Sequence, residues 1–329
     1  MKPDKRYGER LPAYFDALCA APEMTRLRDV GMNCGCEYTS FKLFRRIKPY
    51  SRFEHSIGTA QIVWHFTDDP VQAAAALFHD IATPAFSHSV DFMRGDSLRQ
   101  ESTEAGTDKL ILSSKEICRI LRENGIAPEN VVDYHRYPVA DNQAPRLSAD
   151  RLEYTLGNLL HYRLRAPTFL RSYYLDLTLT QNEDGMPELA FRDVLTAIAF
   201  GYDTLKCSRI YVSPEDRYAM QMLSELLKRA LDRGVIGEDD LMGTEPQLIR
   251  KLQGDPRFKA EWKRFRAMKR MVTEECDAPV ELRRVIPAKK RCIDPLVVGQ
   301  GRLSVICREF EADLKLFLEE DQSGWLCAK

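Results

Sequence analysis

In the stretch FHDIATPAFSHSVDF, residues 78–92, a histidine and an aspartate stand side by side at the end of an alanine-rich run, and a second histidine follows nine residues on. Two further positions, His55 in SRFEHSIGTA and Asp150 in LSADRLEYTLGN, are of the same chemical types. Imidazole nitrogens and carboxylate oxygens together suit one borderline divalent transition metal (Mn, Fe, Ni or Zn), and two of each leave positions open for water or a phosphoryl oxygen. Such a site can hydrolyse, because the ion lowers the pKa of a bound water and polarises a P–O bond. Each residue alone has an ordinary explanation: a helical histidine is more often packed than metal-bound, and an aspartate caps turns. The surrounding text decides between the two readings.

The elements that must position these groups read as helices. In YAMQMLSELLKRALDRGV the apolar residues Leu223, Leu226, Leu227, Ala230 and Leu231 recur at three- and four-residue steps, with Gly234 placed to end the helix. The stretches 55–66, 71–82, 104–123, 150–165 and 303–319 carry the same period. YYLDLTLTQNEDGMPELAF instead alternates from Leu175 to Thr180, turns at NEDG and resumes at Leu189, which predicts a small hairpin near 173–191. The expected fold is all-α, a mainly helical bundle with that hairpin. The turn-rich GVIGEDDLMGTEPQ suggests a division into a helical core, 1–240, and a smaller basic C-terminal lobe, 241–329.

At 329 residues, with 44% hydrophobic and 29% charged, the chain has the composition of an ordinary globular protein. Its 48 Lys and Arg nearly cancel 49 Asp and Glu, so no global field demands a nucleic acid or an anionic membrane. Apolar runs such as AAAALF fall far short of the ~20 residues that cross a bilayer, and the charged N-terminus has no apolar leader core; a cytoplasmic location and no membrane partner are expected. Nine cysteines at irregular spacing then favour reduced thiols. Cys34 and Cys36 are one residue apart rather than two and lack a second pair, so they do not read as a zinc site.

The ordered pattern H…HD…D resembles the HD-domain phosphohydrolase superfamily. RFEHSIG, HDIATPAFSH and SADRLEY are similar to the deoxyguanosine-triphosphate triphosphohydrolase-like (dNTP-hydrolysing) branch, whose matching stretches read RFEHSLG, HDxGHGPFSH and DxDRxDY. PEMTRLRDVG, RIYVSPEDRYA and KKRCIDPLV look like further segments of that branch, so the likeness spans most of residues 20–305. It implies that His55, His79, Asp80 and Asp150 ligate one divalent metal whose bound water or hydroxide attacks phosphorus. It also implies that Arg52, Arg151 and Tyr154 hold phosphoryl oxygens of a nucleotide or deoxynucleotide phosphate, and that the chain is a homo-oligomer like its relatives. Asn158 stands where the triphosphate enzymes place an aspartate against the sugar.

Two departures bear on the chemistry. Thr83 occupies the position of one catalytic histidine of that branch, and Gln100 that of another, and neither side chain relays a proton near neutrality. Three readings follow: another group, among His88, Asp91, Glu101, Glu104 and His135, supplies the proton; a good leaving group needs none; or the site binds metal and nucleotide without turnover, as a sensor. A phosphomonoesterase lies within the enzyme reading. His65 and His161 have no motif around them and read as ordinary packed or surface residues.

Finally, RFKAEWKRFRAMKR, from Arg257 to Arg270, carries seven basic residues against one acidic around Phe258, Trp262 and Phe265, and RRVIPAKKRCIDP adds five more positive charges. The first reads chiefly as an amphipathic helix against the core, with nucleic-acid contact through 257–291 as the alternative. Lys289 and Lys290 are candidates for reaching substrate phosphates.

Overall fold

The computed structural model describes residues 7–8, 10–98, 106–272 and 283–328. The chain is mainly helical: sixteen α-helices and seven short strands form among the described residues. Each expected helical stretch contains a helix, but 71–82 ends at Phe78 and 150–165 at His161, and two others are divided. The 104–123 period resolves into Thr107–Ser113 and Lys115–Glu123 because Ser114 stops the first and caps the second, its hydroxyl accepting from Ile117 N at 3.4 Å. Likewise 303–319 is broken at Cys307, between Leu303–Ile306 and Arg308–Glu319. The helix Pro214–Asp232 buries Leu223, Leu226, Leu227 and Ala230, and Gly234 follows it at φ +68°, a left-handed turn that a side chain would oppose.

The hairpin is present, with Leu177–Gln181 antiparallel to Pro187–Phe191 and Leu177 opposite Phe191. It starts later than the sequence pattern suggests, because Tyr173 to Asp176 close the helix Pro167–Asp176, where Tyr173 and Tyr174 are buried. Leu296–Val297 adds parallel to the second hairpin strand and pairs antiparallel with Gly301–Arg302, making four strands. Arg302 locks this sheet by bonding Glu188 at 2.5 Å and Glu183 at 2.8 Å. A second sheet holds Met271–Val272, Trp325–Ala328 and Arg284–Val285 in that order. Within it Cys327 is disulfide-bonded, an exception to the expectation of reduced thiols, which the seven free cysteines among the described residues meet.

Two apolar clusters form the interior. One gathers Phe53, Leu77, Phe78, Leu156, Phe200 and Phe310; the other gathers Phe41, Phe44, Phe86, Leu223, Trp262 and Phe265. Residues beyond 240 enter both clusters alongside residues from the first 240. No helix among the described residues is long and apolar enough to cross a membrane.

Candidate metal centre

The four candidate ligands sit at helix ends, where backbone geometry is set by caps. Ser51 and Glu54 form a capping box at the start of Arg52–Thr67: Ser51 Oγ accepts from Glu54 N at 3.2 Å, and Glu54 Oε2 accepts from Ser51 N at 2.9 Å. This places Arg52 and His55 in the first turn and, three residues apart, on one face. Asp69 caps the alanine-rich Pro70–Phe78, and His79 and Asp80 follow at the turn that ends it. Ser148 caps Ala149–His161 through Arg151 N at 3.2 Å, so Asp150 lies in that helix's first turn. The first and last of these helices approach closely at Gly58, where an added Cβ would lie 2.5 Å from Glu153 Oε1.

These ends bring the ligand atoms together. One atom each from His55, His79 and Asp80 fall within 4.8 Å of one another. Asp150 Oδ1 completes the group, 3.0 Å from His55 Nε2 and 3.6 Å from His79 Nε2. The two imidazoles face each other through Nε2 at 3.1 Å. Their far nitrogens decide the protonation. His79 Nδ1 lies 2.7 Å from the Ala76 carbonyl, which can only accept, so Nδ1 carries hydrogen. His55 Nδ1 lies 2.7 Å from Glu153 Oε2, a carboxylate oxygen that also accepts from Tyr50, while Oε1 accepts from Tyr7 at 3.0 Å. With both Nδ1 atoms donating, neutral imidazoles would present two lone pairs to each other beside two carboxylates. That arrangement calls for positive charge in the middle, which a proton on His55 supplies in metal-free protein, and a divalent ion fits the donor set.

The electrostatics agree. Burial acts to lower the pKa of His55, but the hydrogen bonds that it donates to Asp150 and Glu153 more than offset it and hold the imidazole at about 10. Burial raises and His55 lowers Asp150, for a net value of about 2. Against the same burial, Arg52 and the two histidines hold Asp80 well below the usual carboxylate range. The pocket thus keeps its carboxylates charged and draws a positive charge between them. Thr83 donates to Asp80 Oδ1 at 2.7 Å, and Arg52 Nη1 donates to Asp80 Oδ2 at 2.9 Å. Both orient a ligand; the Thr83 hydroxyl does not stand free to act as an acid.

Above the four candidate ligands opens a cavity of about 540 Å³ lined by Arg52, His88, His135, Arg151, Tyr154 and Asn158, and also by Lys289 and Lys290. The structure therefore gathers these candidates at one site, with different freedoms. Arg151 is held by Arg146 O at 2.7 Å, Asn142 and Asp141, the last at 3.1 Å. Lys290 Nζ donates to Leu318 O and Glu320 O, both at 2.6 Å, so its ammonium serves the end of Arg308–Glu319. Asn158 donates to the Tyr211 hydroxyl at 2.6 Å. His88 Nδ1 lies 2.8 Å from the buried Asp91. Burial pulls His88 down to about 4 despite Asp91, so at neutral pH it is an uncharged imidazole, an acceptor rather than an acid. His135, its side chain 54% exposed, sits at the rim 2.9 Å from Asp141. Gln100, Glu101 and Glu104 lie outside the described residues.

Sequence reasoning missed Glu153, the buried partner of His55, although an ionisable residue three positions after Asp150 on a helix was a usable signal. It also missed Arg217, Asp216 and Arg291 on the cavity wall. Residues 52–158 match the family described as HD domain. That match covers about a third of the chain. Its two ends coincide with the site: the match opens at Arg52 and closes at Asn158, enclosing the four ligands.

Among curated proteins, the uncharacterized protein YdhJ of Bacillus subtilis is 26% identical over 208 residues, 62% of this chain and 61% of that protein. The metal-dependent phosphohydrolase cns2 of Cordyceps militaris is 27% identical over 162 residues, 48% of this chain and 45% of that protein. The similarity thus spans less than two thirds of either relative's length.

Proposed function

We propose that this HD-domain chain is a metal-dependent phosphohydrolase acting on a nucleotide or deoxynucleotide phosphate. The observation that carries the reading is the convergence of His55, His79, Asp80 and Asp150 at the floor of a cavity walled by arginine, lysine and tyrosine. A divalent ion held there supplies an activated water and polarises the phosphoryl group. The cavity volume is that of a small-molecule site.

The chain's own residues have distinct tasks. Arg52 Nη1 is committed to Asp80, while its buried Nε has no partner among the described residues, which leaves a charged donor for a phosphoryl oxygen. Burial pushes the Tyr154 phenol up to about 12, so it remains a donor at neutral pH. His88, uncharged, accepts a proton or orients water. Delivery of a proton to the leaving group falls to His135 at the rim or to Asp216, whose carboxyl burial raises to about 8, an acid still protonated at neutral pH.

The test is a metal assay followed by turnover of the metal-loaded protein on nucleoside mono- and triphosphates and a generic phosphomonoester, with products separated. Tripolyphosphate as product places the chain with triphosphohydrolases, and orthophosphate with phosphatases. A bound metal without turnover of any phosphate would sink the enzyme reading and favour a nucleotide sensor.

A further inference from the structure

The basic helix Pro256–Ala267 meets a second basic segment that lies far away in sequence. Ser40 N donates to Met268 O at 3.0 Å and Ser40 Oγ to Arg266 O at 2.7 Å. Both pieces turn their aromatic residues inward, Phe41 and Phe44 from one and Phe258, Trp262 and Phe265 from the other, into the same cluster. Their charges consequently face out together. Lys42, Arg45, Arg46 and Lys48 are exposed on the first segment. Lys259, Lys263, Arg264, Arg266, Lys269 and Arg270 are exposed on the second.

Among the described residues, none of these side chains takes part in an ion pair. Exposed cations elsewhere on the molecule commonly do: Arg119 pairs with Glu123, Lys228 with Asp232 and Lys315 with Glu319. Residues 38–50 contain no acidic side chain, and the one in 256–272, Glu261, is buried against Arg229 at 2.7 Å. Like charges at this density repel, and a polyanion laid across them relieves the repulsion.

We propose that residues 40–48 and 256–270 form one surface that binds the phosphate backbone of a nucleic acid. The twelve-residue helix is about 18 Å long, the axial reach of about five nucleotides of one strand. No exposed large apolar side chain lies on either segment, so nothing is offered for insertion into a bilayer. With the aromatic residues buried, no base stacking takes place; recognition is of phosphate, independent of sequence and steep in salt.

The experiment is fluorescence anisotropy of labelled single-stranded and duplex oligonucleotides with the full chain between about 50 and 200 mM salt, beside a flotation assay on phosphatidylserine vesicles. Expected is binding to nucleic acid with log Kd rising with log salt, weakened at least about tenfold by R45E/R46E and equally by K263E/R264E. The control K115E/R122E, on a different helix, should bind as the parent does. Circular dichroism and metal content, unchanged in all three variants, show that folding is intact. No binding at the lowest salt, equal weakening by the control, or capture by vesicles but not oligonucleotides would overturn the proposal.

Discussion

The floor and the rim of the cavity are built by opposite means. On the floor, two candidate ligands, His55 and Asp150, lie in capped first turns and two, His79 and Asp80, just past a helix end, and both outer imidazole nitrogens are fixed by buried acceptors, Ala76 O and Glu153. At the rim, residues 286–292 run without regular structure and are pinned by side chains reaching to backbone: Arg217 to Ile286 O and to Gln322 O at 2.7 Å, and Lys290 to Leu318 O and Glu320 O. The difference teaches where tolerance lies. A helix end holds a side chain firmly because a ladder of backbone bonds sets it, whereas a pinned irregular segment gives way when one ammonium is lost.

The comparison breaks most readily at Asp80. Asp80→Ala removes a ligand and leaves Arg52 as an uncompensated buried charge; purified protein should lose its metal by elemental analysis, and activity should fall by about 10³-fold or more. Unchanged metal content would show that the floor is not the site.

Glu153→Gln tests whether the floor depends on what stands behind it. Loss of charge at His55 Nδ1 should weaken metal affinity ~10- to 100-fold, read by competition with a chelator, while far-ultraviolet dichroism stays unchanged. Affinity equal to the parent's would reduce Glu153 to packing.

Acidity sharpens the same point. In metal-free protein His55 is held at about 10, above the ~6.5 of an unfolded histidine. Its protonated form therefore stabilises the fold fully below ~6.5, and that contribution is lost as pH rises through about 10. Metal-stripped protein should melt lower at about pH 10 than at about pH 7, and His55→Gln should flatten this difference. Metal uptake near neutral pH should also release a proton, measurable in a weakly buffered titration.

At the rim the effects should be smaller. Lys290→Ala unpins the 286–292 stretch, raising KM by about three- to tenfold with metal content and kcat nearly unchanged, since only ground-state positioning is lost. A fall in kcat at constant KM would move Lys290 into the chemistry and erase the contrast between floor and rim.

The helices and the hairpin were legible because their signals are local: Leu223, Leu226, Leu227 and Ala230 repeat at the helical period, and NEDG turns a chain of alternating residues. The breaks at Ser114 and Cys307 were not, because a one-residue interruption leaves the apolar period almost in phase. Among site residues, His55, His79, Asp80 and Asp150 could be picked out by type and surrounding motif, and they do converge. The role of Thr83 could not, since a hydroxyl in a histidine's place reads as a loss until its bond to Asp80 is seen.

What the sequence by itself determined is therefore a subset of the helices, without Val194–Tyr211 and Glu245–Gly254, and the identity of the groups that stand at the ends of three of them. Only the tertiary structure decided that Glu153 stands behind His55, that Lys290 is spent on a helix end, that Asp216 and Arg217 wall the cavity, and that residues 40–48 lie beside 256–270. The physical reason is range. Caps and apolar periods act within a few residues, whereas desolvation, ion pairing and shared burial depend on neighbours that only the folded chain supplies.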